Sequence, residues 1–564
     1  MKGKTAKVLL VAGVLAVLVL GGGYLGYRKY VALRQSRLLQ QAHHYLDKAD
    51  PKNAMLCLQR ALRFNANDLE ATRLMADLMD VAHAPNAVKW RRRVVELDPH
   101  SLKDRLALVD TAMDADDFAT ATNALAQVAP ADQSTVRYQL AAGSVAATFY
   151  RLPEAEQHFQ EALRLEPGNL QAQLSLARVR LHDADPTVAT TARNTLAGMS
   201  HNPTNAAVRC QALRELIGDA LGRHQLANAL IISTTLVRET NSLFSDRLVY
   251  VQLLQETGAT NFAATLQALQ QEAVGPARGP RDTFLLAQWE TGRISPAAAM
   301  QWLQTLPGTT LTNQPLAMLV AGNYAALRQW QALETFLKPL AWGERECLRH
   351  AYLTRALREQ GSDAGARVEW ELAVGSTHLV KQRLLWLQDL MTRWQWRPEL
   401  QEVLQHIVDL DPAAKPEVLE LITLLIESGD TRGLLVLCNQ LSKRDPTDLN
   451  DRNTMIMAAL LLNAVEYKPY ELAQKLYQQA PTNAVFASTY AFALHLQNQD
   501  AAALKVFQQL PPLALEQPAI AGYYGLVLQG LGEKQRALPY LNLASKAKLL
   551  PEEKKLFDRA KSGQ

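Results

Sequence analysis

Cysteine is scarce. Cys57, Cys210, Cys347 and Cys438 are the only four in 564 residues, and no two have CxxC spacing. Neither a disulfide scaffold nor a zinc site can therefore organise the chain. A strong excess of either charge is missing as well: 59 Lys+Arg against 55 Asp+Glu leave a formal net charge of +4, with no sustained Lys/Arg stripe to neutralise phosphates. Nucleic acid is accordingly not an expected partner. Glycine (28) and proline (25) are near average, which excludes collagen-like and low-complexity chains. The motifs of chemistry are absent too: the sequence contains no GxxxxGK[ST] phosphate loop, no HExxH zinc helix and no GxSxG elbow. No catalytic, metal-binding or cofactor-binding residues are expected, no cofactor is called for, and the chain does not read as an enzyme. What is present is length and 48% hydrophobic residues, enough for a large core and, on size alone, about three to four ordinary domains.

The amino terminus differs from the rest. Lys2, Lys4 and Lys7 precede an uncharged stretch from Val8 to Tyr27, which Arg28 and Lys29 close. As a helix that stretch reaches about 30 Å, the thickness of a hydrocarbon core. A single membrane span over residues 8–27 is the expectation, with Tyr24, Tyr27 and Tyr30 as interfacial aromatics. A cleaved signal peptide is the alternative, but no Ala-x-Ala follows the apolar run and Tyr24-Leu25 resumes it. Basic residues lie on both sides, so the positive-inside rule does not decide orientation. The short basic tail favours a signal anchor, which would put the body outside the cytoplasm; a cytoplasm-facing body is the alternative. Gly21, Gly23 and Gly26 fit GxGxxG, yet they end an apolar helix instead of following a strand, so no dinucleotide site is read there.

The body repeats. Ala54, Ala87, Ala121, Ala155 and Ala189 follow one another at steps of 33 or 34 residues, and a second row of Ala61, Val94, Val128, Ala162 and Leu196 lies seven positions later. Between them stand Leu58, Arg91, Leu125, Phe159 and Arg193, and Pro99 and Pro167 lie two periods apart. Small residues at i and i+7 with a bulky one at i+4 share one helix face, where the small positions let another helix come close. Proline then closes the helix. The clearest copy places Ala142-Gly143 and Ala146 on one helix, Pro153 in the turn, and Ala155, Phe159, Ala162 and Pro167 on and after the next.

In these residues the chain resembles the tetratricopeptide repeat (TPR) family, whose helical hairpins recur about every 34 residues. The first copy supplies Leu38, Ala42, Tyr45, Ala54, Leu58 and Ala61, though Gln41 and Ala66 replace the family's Leu and Pro. The last supplies Tyr524, Gly525, Leu528, Ala537, Leu541 and Ala544. From about 205 to 345 the pattern is degenerate, keeping Ala227, Trp289, Gly292, Trp302, Gly322 and Trp330 as punctuation. The resemblance implies an all-α protein: a TPR-like α-solenoid, a right-handed superhelix of helical hairpins, carried by one N-terminal transmembrane helix, with about fifteen repeats if the body is continuous. Residues 1–30 are the basic tail and anchor, 31–274 an N-terminal solenoid arm, 283–550 a degenerate then regular arm, and 551–564 a C-terminal capping helix and tail. The Gly275–Pro280 cluster is the expected joint.

Candidate sites have bland readings. Adjacent His43 and His44 point about 100° apart on a helix and cannot chelate one metal together. Asp114 to Asp117 lacks the glycine and glutamate of a calcium loop and reads as helix capping. Trp90-Arg91-Arg92-Arg93 reads as a solvated helical face, and the nine tryptophans, Trp386, Trp394 and Trp396 among them, as core packing. The family resemblance implies that partners, other proteins or peptides, lie in a groove lined by the first helix of each hairpin. Carried over by position, this marks Lys103 and Asp110, Arg137 and Ser144, and Gln171 and Arg178. The chaperone-docking carboxylate clamp of the family is not expected, because Leu39 and His43, or Leu140 and Ser144, stand where Lys and Asn are needed. The reading is a membrane-tethered bacterial scaffold for protein–protein interaction in envelope assembly or export. The alternatives are a dedicated subunit of a polysaccharide or protein secretion apparatus, and an enzyme whose site lies in the degenerate middle.

Overall fold

The computed structural model describes residues 31–562, apart from 32, 49, 83, 85 and 277. The expected membrane span, 8–27, lies outside the described residues; among those described, no helix is long and apolar enough to cross a membrane. The described chain is all helical and contains no strand. It divides into two compact units, residues 1–282 and 283–564, with the division inside the helix Pro280–Arg293.

In the first unit hairpins follow one another from residue 33. Leu69–Val81 with Ala87–Leu97, Leu102–Asp114 with Phe118–Ala126, and Val136–Thr148 with Leu152–Leu165 each pack as a first (A) and second (B) helix. The order continues through Leu170–Arg180 with Pro186–Met199, Ala206–Gly222 with Leu226–Leu236, and Phe244–Glu256 with Phe262–Ala273. In the second unit the pairs run from Leu316–Ala326 with Trp330–Leu337 to Pro518–Gly530 with Lys534–Ala544. Over 206–273 and 316–337 the stretch that is degenerate in sequence is thus built of the same hairpins as the rest, while between them stand Pro280–Arg293 and the short helices Pro296–Leu303 and Gly308–Leu311.

The small-residue rows explain the packing. Ala54, Ala87, Ala121, Ala155 and Ala189 are all buried, as are Ala61, Val94, Val128, Ala162 and Leu196. In the best copy a Cβ added at Gly143 would lie 2.5 Å from the Phe159 ring, and in the last copy one at Gly525 would lie 2.7 Å from Leu541. Both distances are well inside contact, so the glycine is what lets the B helix lie against the A helix.

The A–B turn carries a backbone signature that residue types hide. Asp116 and Tyr150, His224 and Gly258, then Arg328, Gly361, Gln395, Gly429, Asn463, Asn498 and Gly532 all have positive φ. Within each of these runs the spacing is 33 to 35 residues. The next N–H reaches back into the A helix, as in Asp117 to the Ala112 carbonyl (2.8 Å), Gln225 to Ala220 (2.8 Å) and Ser362 to Leu357 (2.9 Å). This is the six-to-one bond of a Schellman ending, which satisfies carbonyls that the helix end leaves free. Most positions tolerate a non-glycine residue there at a cost of about 1–2 kcal/mol. Where the left-handed residue is missing, side chains close the turn: Asp185 accepts from Thr187 N (2.8 Å) and Ser295 from Ala298 N (3.1 Å).

Pro551–Ser562 ends the second unit by packing on the last hairpin, with Phe557 buried against Gly522 and Tyr523. Its first turn and the residues just before it also reach a much earlier hairpin, where Thr431 donates to Glu552 (2.5 Å) and Lys548 pairs with Glu427.

Candidate protein-binding surface

The six residues expected to line a groove lie on three A helices, Leu102–Asp114, Val136–Thr148 and Leu170–Arg180. Lys103 opens the helix Leu102–Asp114 and is exposed, and Asp110 stands two turns further on. Asp110 lines a cavity of about 510 Å³ together with Asp80, Arg91, Thr111 and Asp114. Desolvation raises the Asp110 pKa above its ordinary 3.8, and Arg137 on the next A helix opposes the rise. The charge of Arg137 thus acts on Asp110 from the next repeat. Ser144 is half-buried, with its carbonyl accepting from the Thr148 hydroxyl (3.1 Å), and Gln171 is exposed. Arg178 lies 3.8 Å from Glu215 of the following A helix, whose pKa burial pushes up. A second cavity, of about 480 Å³, is lined by Gln173, Arg180, Asp183 and Thr191, and none of the six expected residues faces it.

One expectation needs correcting. Arg91 is not on a solvated face: it is buried and pairs with Asp77 (2.7 Å) and, through Nε, with Asp80 (2.7 Å) on the preceding A helix. It occupies the inter-helix position filled by Leu58 or Phe159 in other copies, so its guanidinium needs acids brought by a neighbouring helix. Arg193 does the same with Asp219 (2.9 Å) on the helix that follows. Arg92 does remain exposed, and Arg93 is half-buried. His43 pairs with Glu70 across helices (3.0 Å), and Asp117 caps its B helix by accepting from Thr120 N (3.1 Å). Among the tryptophans, Trp302, Trp342 and Trp370 are buried, while Trp330, Trp386, Trp394 and Trp396 pack half-buried on the core. All four cysteines are free and buried, and burial pushes the Cys347 and Cys438 thiols up to about 11 and about 12. Thiols held there are inert at neutral pH.

The geometry defines an all-helical repeat protein of TPR-like hairpins, with an A-helix surface that is polar and charged. No family model matches the chain, and no curated protein does. Among solved structures it is similar to MamA from Desulfovibrio magneticus, at 17% identity and a TM-score of 0.27, over 29% of this chain and 92% of that one. It is also similar to PilF from Pseudomonas aeruginosa, at 16% identity and a TM-score of 0.28, over 42% of this chain and 98% of that one. A tetratricopeptide repeat protein from Parabacteroides merdae aligns at 11% identity and a TM-score of 0.35, over 48% of this chain and 98% of that one. These likenesses are low, and the description of the fold rests on the hairpins themselves.

Proposed function

We propose that this chain is a membrane-tethered scaffold that binds other proteins along its A helices, in the assembly of a bacterial envelope or in export through it. The observation that carries the reading is the run of hairpins over Ala206–Ala273 and Leu316–Leu337, where the sequence pattern is weakest. A hidden enzyme would break the repeat there to build a site; instead charged groups of these hairpins pair with the next A helix or the turn before it, as in Arg214 with Asp246 and Arg209 with Glu239. Repeats that pack chiefly on their neighbours yield a long surface, and surface is what a scaffold offers. Residues 8–27 serve as the anchor in this reading, with the body outside the cytoplasm. Tethering raises the effective concentration of partners held at the same membrane. Proximity labelling from the carboxyl end in intact cells tests all of this. Extracytoplasmic protein neighbours are expected; labelling confined to cytoplasmic proteins would overturn the topology, and labelling no higher than that of an untethered control would overturn the scaffold.

A further inference from the structure

Arg355 is an anomaly in this molecule. Arg91, Arg193, Arg214 and Arg349 meet carboxylates, and buried Arg105, which meets none, still donates to the Gln127 side chain and the Pro99 carbonyl. Arg355, half-buried on the helix Glu346–Glu359, has no hydrogen-bond acceptor among the described residues, and its Nε is sealed from solvent without a partner. Its guanidinium is held between two indoles, 4.7 Å from the centroid of Trp394 and 5.4 Å from that of Trp330. Stacking on aromatic faces holds such a cation in place but leaves its in-plane donors unmet.

Those donors adjoin a cavity of about 360 Å³ formed by three successive A helices and their turns. Gly322 and Ala325 make its floor, Trp394 one wall, and Arg328 its rim. Tyr352 is buried beside Trp394, with ring centroids 5.2 Å apart, and its hydroxyl lies 3.6 Å from where a Cβ at Gly322 would be. The small floor thus keeps the phenol open to the space above. Arg328 is exposed and forms no ion pair among the described residues. Desolvation and the like charge of Arg328 both lower the Arg355 pKa, whereas Glu359, one turn further along, raises it. Arg355 and Arg328 are offset in part by exposed Glu359, and Arg393 and Asp389, which also act on Tyr352, pair with each other, so a small positive excess remains, which suits a monoanion better than a phosphate dianion. A guanidinium fork fixed in plane matches the two oxygens of a carboxylate, and apolar walls suit the methylenes of the side chain bearing it.

We propose that this cavity receives a carboxylate from an acidic segment of a partner protein, with Arg355 meeting it in plane, Arg328 closing from the rim and the Tyr352 hydroxyl donating a further hydrogen bond. The inference rests on the scaffold reading and supplies the chemistry of the guest. The tryptophan cluster is therefore not a cage for a foreign cation, because the protein's own arginine already fills it.

The test uses the full chain in lipid nanodiscs, with tryptophan emission and calorimetry as readouts. The probes are an acetylated, amidated Glu-Ala decapeptide, its Gln-Ala counterpart with a free carboxyl terminus, and inorganic phosphate. The Glu-Ala peptide is expected to bind and to change the emission of Trp330 and Trp394. Arg355→Gln should weaken it about tenfold and Arg328→Asn about threefold. Asn tolerates the left-handed turn, so the second variant preserves the fold if the first does not. Equal binding of the free-acid Gln-Ala peptide would support the site with a chain terminus as the source. Binding of phosphate without either peptide, or undiminished peptide binding in both variants, would overturn the proposal. If both variants keep peptide binding while neighbours are still labelled in cells, the carboxylate site fails and the scaffold stands; if the wild type labels no neighbours above the control, the scaffold itself fails.

Discussion

The two units solve the same packing problem with different materials. In the second, buried apolar residues form one connected core from Ala317 to Phe557, with Phe492, Phe507, Leu404 and Leu441 among its members. In the first, the apolar core is broken into separate patches, such as those around Met75, Val109, Leu196 and Leu236. Between patches the first unit places arginines on buried acids across successive helices: Arg73 on Asp104, Arg193 on Asp219, and Arg214 on Asp246. The second unit also has pairs at this stride, but they lie nearer the surface, as Lys381 with Asp411 does. The difference teaches that the repeat fixes where helices cross and leaves open whether the crossing is sealed by apolar contact or by paired charge. Apolar contact transmits from repeat to repeat, whereas paired charge confines coupling to the helices that bear it.

The largest expected effect probes that transmission. Phe507→Ala should cost about 3–5 kcal/mol, and amide exchange should quicken in hairpins on both sides of it. Phe159→Ala should cost a similar amount while exchange quickens only between Val136 and Arg180. Equal spreading in both variants would erase the distinction between the units. A smaller effect separates buried from exposed pairing. Asp104 has a side chain only 4% exposed, and Asp104→Asn should lower stability by about 1–3 kcal/mol in denaturant melts. Asp411→Asn, whose pair is open to solvent, should change it by less than about 1 kcal/mol.

The smallest effect is one of sign with pH. Burial opposes ionisation of Asp104, but hydrogen bonds from Arg73 and Ser101 outweigh it and hold the pKa below 3.8. Its contribution is present above the unfolded value and lost as pH falls through the folded one. Glu553 behaves oppositely. Burial of its carboxyl raises the pKa above 4.5 despite hydrogen bonds from Tyr523 and the Leu550 N–H. Its contribution is full below the unfolded value and declines as pH rises through the folded one. Limited proteolysis of the C-terminal helix should therefore slow at mildly acid pH, and Glu553→Gln should flatten that dependence. Acid-induced loosening of the helix in the wild type would contradict the assignment.

Much of the fold is legible in residue types. The alanine rows mark helix crossings because only a small side chain allows the approach, and Gly143 beneath Phe159 shows the same rule in one contact. Arg91 and Arg193 are less legible, since an arginine at a crossing is an interruption until the acid that meets it is known. Asp77 and Asp80 lie 14 and 11 residues before Arg91, whereas Asp219 lies 26 after Arg193, so no fixed spacing announces them. The hairpins at 206–273 and 316–337 are hidden in the sequence because their turns are fixed by backbone geometry, which His224 and Arg328 adopt where glycine stands in other copies. The carboxylate site escaped notice for a related reason. Trp330, Arg355 and Trp394 belong to three successive hairpins, and the pattern of any one of them reads as core.

Amide hydrogen exchange across residues 206–337 tests the central claim most directly. The account predicts slow exchange within Ala206–Gly222, Leu226–Leu236, Phe244–Glu256 and Leu316–Ala326, interrupted by faster exchange at the turns. Uniformly fast exchange through this stretch, or protection that runs unbroken across the turns, would contradict a body built of repeating helical hairpins.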